Sequence, residues 1–187
     1  MKEGTRRSLS FIEPMKALSC EKLPEGNWLY EIKHDGYRAL AFKDGKDERL
    51  VSRNRNEFNY PELLDALKLL PIERVILDGE IAALDEKGRS SFQLLQLFKS
   101  SGDVPLVYYV FDLLFLERKD LRKEPLSARC KLLANLLKKP PENIRLSDDR
   151  ADQPHLKGLT PMDIDPEELN DCWDKLPRMD EDADAGG

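Results

Sequence analysis

The chain is short of the residues that build disulfide or zinc frameworks: its 187 residues include two His and three Cys. Cys20, Cys130 and Cys172 form no CxxC pair and no even set. That argues against a cystine scaffold and a Cys/His zinc site, and reads as free thiols in a reducing compartment. No apolar run approaches the ~20 residues that span a bilayer. Met1 to Ser10 is charged and has no apolar core of the secretory kind. The expectation is therefore a cytoplasmic chain with no membrane partner. With 10 Gly and 12 Pro, the composition is neither collagen-like nor low-complexity.

What is present is the composition of a globular protein, 40% hydrophobic and 35% charged, in a chain long enough to bury a core without staples. The net charge of −6 is unevenly distributed. Residues 148–187 hold thirteen acids and four bases, and the rest of the chain 23 acids and 26 bases. The mildly basic body can approach a phosphate backbone, whereas the acidic tail is repelled by it.

Hydrophobic patterning predicts strand pairs interleaved with single helices. Asn27 to Phe42 alternates well enough for two short strands around Lys33-His34-Asp35-Gly36, and Lys43-Asp44-Gly45-Lys46 is a hairpin turn. Pro61 to Leu67 opens with a first-turn proline and continues with helix formers. Arg74 to Leu77 and Ile81 to Leu84 read as strand on either side of Asp78-Gly79-Glu80, and Asp85 to Gly88 as the next turn. Ser90 or Ser91 caps a helix carrying Phe92, Leu94, Leu95, Leu97 and Phe98. Val104 to Leu116 is a buried strand, and Ser127 to Lys139 an amphipathic helix with Lys138-Lys139 at its end. Leu169, Cys172, Trp173 and Leu176 suggest one more helix over 166–176, in an otherwise structureless tail. The pattern is α+β, built on antiparallel sheet with flanking helices.

The chemistry is concentrated in four phrases. Glu31-Ile32-Lys33-His34-Asp35-Gly36-Tyr37-Arg38 puts a lysine and an arginine around an Asp-Gly; alone it is also what an exposed turn with a solvated lysine looks like. Ser52-Arg53-Asn54 follows, then Val75-Ile76-Leu77-Asp78-Gly79-Glu80-Ile81, then Tyr109-Val110-Phe111-Asp112-Leu113. In this order they resemble motifs I, Ia, III and IIIa of the covalent nucleotidyltransferases, which comprise ATP-dependent DNA and RNA ligases and mRNA capping enzymes. Phe11-Ile12-Glu13-Pro14-Met15-Lys16-Ala17 and Gly88-Arg89-Ser90-Ser91-Phe92-Gln93-Leu94 narrow the resemblance to the ligase domain of bacterial end-joining ligases of the ligase D type.

The resemblance implies the ATP-grasp-like nucleotidyltransferase fold and assigns roles. Lys33 is the nucleophile that attacks the α-phosphate of ATP, and an amine must lose its proton to attack. Arg38 and Arg53 lie by the ribose and phosphates, and Glu80 binds the ribose or a Mg²⁺ ion. Phe111 stacks on adenine as a flat apolar partner, and Glu31 accepts from its exocyclic amine. The implied partners are nicked or broken DNA ends and other end-joining proteins, and the implied place is the bacterial cytosol. His34 reads as a turn residue, and Cys130 as an incidental thiol.

The resemblance covers residues 11–147, flanked by a flexible segment at 1–10 and a divergent acidic tail at 148–187. The family continues with motif IV, a Glu-Gly whose acid binds metal, and motif V, a Lys-x-Lys that grips the α-phosphate. Residues 117–187 contain neither phrase, so the expectation is an adenylation domain incomplete at its C-terminus. Two rivals follow: a non-catalytic module that binds nucleotide or DNA ends, and an RNA ligase or capping guanylyltransferase.

Overall fold

The structure, a computed structural model, describes residues 8–16, 33–101 and 104–147. The hairpin signalled by Asp44-Gly45 joins β1 (Tyr37–Asp44) to β2 (Asp47–Ser52). Gly45 sits at φ 72°, a left-handed conformation that glycine adopts without a Cβ clash. β3 (Glu57–Phe58) follows, then α1 (Pro61–Lys68), β4 (Arg74–Ala83), α2 (Phe92–Ser101) and β5 (Leu106–Leu116). The last elements are β6 (Lys119–Asp120), α3 (Leu126–Leu136) and β7 (Ile144–Leu146). The strands form one sheet in the order β3-β2-β1-β4-β5-β6, with β7 also paired to β5.

Three details differ from the sequence reading. Asp78-Gly79-Glu80 does not turn; it lies inside one ten-residue strand. β1 and β5 flank this strand and pair with its backbone groups, so an Asp-Gly that would bend an isolated chain stays extended. The irregularity lies across from it instead. Register shifts at Ile76/Leu77 and Asp78/Gly79 leave Leu114 and Phe111 of β5 without an opposite residue. Second, the sheet is not wholly antiparallel: β7 pairs with β5 in parallel, which requires a crossover connection, and α3 supplies it. Third, α3 ends at Leu136, so Lys138 and Lys139 lie beyond its last turn. The Pro140-Pro141 pair that follows disfavours further helix.

One face of the sheet carries the helices. Ala39, Ala41, Leu77, Ile81, Tyr108, Val110 and Leu113 pack against Leu63 and Leu67 of α1, Leu95 of α2 and Leu133 of α3. Each such fully buried Leu contributes ~1.5–3 kcal/mol, against ~0–1 kcal/mol for a surface ion pair such as Lys68–Asp65. Apolar burial therefore holds the layers together. On the opposite face, Leu40, Phe42, Val51, Ile76 and Leu114 are covered by the segment 8–16 through Leu9, Phe11 and Ile12. Leu9 is 7% exposed, and its N–H donates to Asp44 Oδ2 at 2.9 Å. Further along this face a third cluster gathers Ala82, Val107 and Tyr109. The polar residues of interest lie between these two patches. Among the described residues, no helix is long and apolar enough to cross a membrane.

Candidate nucleotide site

Strand alternation puts Arg38, Asp78 and Glu80 on the face that carries Leu40, Phe42 and Ile76, because Arg38 is paired with Glu80 and Leu40 with Asp78 across β1 and β4. Asp78 is only 3% exposed. A carboxylate so buried needs a partner, and Arg38 supplies one by donating from Nε to Oδ1 at 3.0 Å and from Nη2 to Oδ2 at 2.7 Å. Arg38 Nη1 donates to the Met15 carbonyl at 2.6 Å. Burial works against the guanidinium charge, but the hydrogen bonds and charge of Asp78 overcome it, so the Arg38 pKa is raised. Its guanidinium also lies 5.3 Å over the ring of Phe111, a cation–π contact.

Glu80 lies beside this pair, half-buried. Burial pushes its carboxyl up to about 7; Arg38 and the Gly36 N–H work against that rise, and Asp78 and Asp35 add to it. Phe111 is one of the two bulged residues of β5. Its neighbour Asp112 is gripped by Arg129 of α3, with Nε donating to Oδ1 at 2.8 Å and Nη2 to Oδ2 at 3.0 Å. The bulge is thereby tied to a helix on the other side of the sheet.

The lysine phrase sits at the start of β1. Lys33 is exposed, and the residues after it are fastened one by one. The His34 ring stacks on Tyr109 at 3.9 Å between centroids, 8° from parallel. The Asp35 N–H donates to Ser90 Oγ at 3.2 Å, and Asp35 Oδ2 accepts the N–H of Phe92 at 3.1 Å. Asp35 thus caps α2 from a distant part of the chain, satisfying one of the helix's orphan donors. Ser91 Oγ accepts from Leu94 N at 3.4 Å and is the local cap. The two Gly positions are set by close approach: a Cβ on Gly36 would run into the Ile81 carbonyl, and one on Gly79 into the Tyr109 carbonyl and the Tyr108 ring.

Of the six candidate residues, the structure brings Arg38, Glu80 and Phe111 onto one face. Arg53 is exposed in the turn after β2. The Ala39–Ser52 pair puts it at the Arg38 end of the hairpin. Glu31 lies outside the described residues, as do Cys20, Cys172, Trp173 and the 166–176 helix. A surface depression of about 180 Å³ opens between Glu48, Arg49, Glu57 and Phe58. None of the candidates lines it, so the strand register locates the site better than concavity does.

The sequence profile of the ATP dependent DNA ligase domain matches residues 12–154. The chain belongs to the ATP-dependent DNA ligase family. It is 38% identical over 148 residues to the multifunctional non-homologous end joining protein LigD of Pseudomonas aeruginosa, covering 77% of this chain and 18% of that protein. To DNA ligase C1 of Mycolicibacterium smegmatis it is 38% identical over 139 residues, covering 66% of this chain and 40% of that protein. The chain therefore spans less than half the length of these relatives. Among solved structures it resembles the ligase domain of M. tuberculosis LigD, with a TM-score of 0.55 and 33% identity, over 62% of this chain and 38% of that one. A mycobacterial DNA ligase D complexed with ATP and MES matches with a TM-score of 0.50 and 32% identity, over 65% and 38% of the two chains.

As a metal site, the ligase face offers Glu80 and little else. No group of three or more His, Cys, Asp or Glu with metal-holding geometry exists among the described residues, and Asp78 is taken by Arg38. That donor set does not form a cage. It does fit Mg²⁺, which is ordinarily held by one or two carboxylates together with substrate phosphates and water. Sequence reasoning passed over Asp78, Tyr109, Asp112 and Arg129. Asp78 and Asp112 were legible as charges inside apolar strands, where a buried carboxylate demands a cation. Nothing local marked Arg129 as that cation for Asp112.

Proposed function

We propose that this chain carries the adenylation domain of an ATP-dependent DNA ligase at 11–147, with the acidic segment 148–187 outside it. Lys33 Nζ, once deprotonated, attacks the α-phosphorus of ATP. A P–N bond forms, the P–O bond to the β-phosphate breaks, and pyrophosphate leaves. The AMP then passes from Lys33 to a DNA 5′-phosphate, and the 3′-hydroxyl of the broken strand displaces it. Phe111 stacks on the adenine, Glu31 accepts from its exocyclic amine, and Arg38 and Arg53 face the ribose and phosphates. Glu80 contacts the ribose or a Mg²⁺ ion, which supplies charge neutralisation at the phosphates. The substrates are nicked or broken DNA ends, other end-joining proteins are partners, and the work is done in the bacterial cytosol.

The observation that supports this reading is the exposed Lys33, whose neighbour His34 stacks on Tyr109 opposite Glu80, in a chain of the ligase family that gathers Arg38, Glu80 and Phe111 on one face. Intact mass after incubation with Mg²⁺ and ATP tests it. The expected result is a gain of one AMP that acid removes and Lys33→Ala abolishes. ATP binding without any adduct would overturn it. That outcome would favour the non-catalytic reading, which the lack of Glu-Gly and Lys-x-Lys in residues 117–187 supports. An adduct formed from GTP in preference to ATP would point to a capping-type reaction instead.

A further inference from the structure

His34, the residue after the lysine, is not a loose turn residue. Its ring lies flat on Tyr109 of β5, with centroids 3.9 Å apart and planes 8° from parallel. Its Nε2 shares a 2.9 Å hydrogen bond with Ser147 Oγ, whose direction follows the imidazole tautomer. Both partners are anchored on the same strand. Tyr109 is a buried β5 residue paired with Glu80 on one side and Arg145 on the other. Ser147, just past β7, donates its own N–H to the Val110 carbonyl at 2.8 Å. The ring is therefore held by two side chains whose backbones are hydrogen-bonded into the sheet.

We propose that His34 is a positioning residue for Lys33: the Tyr109 stack and the Ser147 hydrogen bond fix the backbone next to the nucleophile and so fix where its amine is presented. Consecutive Cα atoms are ~3.8 Å apart across a trans peptide. With residue 34 pinned, the reach of Lys33 is set by its own side-chain torsions and not by wandering of the turn. Asp35 and Gly36 extend the same anchoring, through Ser90, the α2 terminus and Glu80. His34 takes no part in the bond changes. It sits one residue from the reacting amine, where a misplacement of about 1 Å costs on the order of 10²-fold in rate. The arrangement also makes Lys33 depend on the seat of β7, which is far away in sequence. The inference rests on the reading of Lys33 as nucleophile.

Single-turnover adduct formation and ATP affinity, measured on wild type, His34→Ala and His34→Phe, test it. His34→Phe keeps a flat ring for Tyr109 and loses the hydrogen bond. Expected are a slowing of ~10- to 10²-fold in His34→Ala, with ATP affinity and melting temperature near wild type, and recovery of most of the rate in His34→Phe. Adduct formation at the wild-type rate in His34→Ala would overturn the proposal. So would a parallel loss of rate, affinity and melting temperature that His34→Phe does not restore. Hydrogen exchange of the 33–36 amides reads the anchoring without chemistry: faster exchange in His34→Ala supports it, and unchanged exchange overturns it. If wild type forms no adduct at all, the nucleophile reading fails, while the exchange result still decides whether His34 holds the turn.

Discussion

At the scale of single residues, the Asp-Gly phrases owe their form to space and charge. Gly79 has the Tyr109 carbonyl and the Tyr108 ring where a Cβ would go, and Gly36 has the Ile81 carbonyl. Backbone atoms of a paired strand have no rotamer to yield. Gly79→Ala should therefore destabilise toward the upper end of the ~1–3 kcal/mol seen for overpacked cores, read as a lower denaturant midpoint. Glu80 gives a pH-dependent counterpart. Its folded pKa is raised from 4.5 to about 7, so the folded state holds a proton the unfolded state releases. The resulting stabilisation is full below about 4.5 and is lost as pH rises through about 7. Glu80→Gln removes that titration. Its melting temperature relative to wild type should climb between pH 5 and pH 8, and a gap that stays flat with pH would contradict the burial argument.

At the scale of elements, side chains from distant strands finish the helices. Lys43 on β1 is 6% exposed, and its Nζ donates to the carbonyls of Lys68 at 2.7 Å and Leu70 at 2.8 Å. It closes the C-terminus of α1, where orphan carbonyls and the helix dipole both favour a cation. Lys43→Met keeps the stem and drops the charge. The Leu70 carbonyl still accepts the Ile72 N–H, so the loss falls on the Lys68 carbonyl and should cost about 1–3 kcal/mol, measured by chemical denaturation. Arg129 ties α3 to the β5 bulge by the same logic. Its pair with Asp112 is 13% and 15% exposed. Removing one partner of a buried pair costs ~3–5 kcal/mol, and the slight exposure here puts Arg129→Met near the lower end. Adding Asp112→Leu should restore much of that loss, since the double change leaves no uncompensated charge; a further drop would show that the pair does more than neutralise itself.

At the scale of the whole molecule, the sheet has two different covers. Three helices close one face, and the 8–16 segment closes the other while lending its Met15 carbonyl to Arg38. Deleting residues 1–16 should lower the melting temperature and increase binding of a hydrophobic dye, because Leu40, Phe42, Val51, Ile76 and Leu114 lose Leu9, Phe11 and Ile12. It should also weaken ATP binding by freeing one arm of Arg38. Loss of stability with unchanged ATP affinity would show that the segment covers the core but does not shape the site.

Local sequence determined a good deal. The Asp44-Gly45 hairpin, the Pro61 helix, a serine cap at Ser90 or Ser91 and the long β5 strand follow from turn chemistry, capping and hydrophobic runs, each acting within a few residues, and the structure selects Ser91. The motif phrases, read in order, indicated the ligase family that the profile match shows. Other features depended on partners far along the chain. Asp78-Gly79-Glu80 stays extended because strands on both sides pair with it. Phe111 bulges because β4 and β5 fall out of register beside it, and β7 lies parallel because α3 returns the chain. The stacking of His34 on Tyr109, its bond to Ser147 113 residues away, and the grip of Arg129 on Asp112 are long-range contacts that no local pattern encodes. Tertiary structure decided them, because a buried charge or ring takes whichever partner the packed sheet brings within reach.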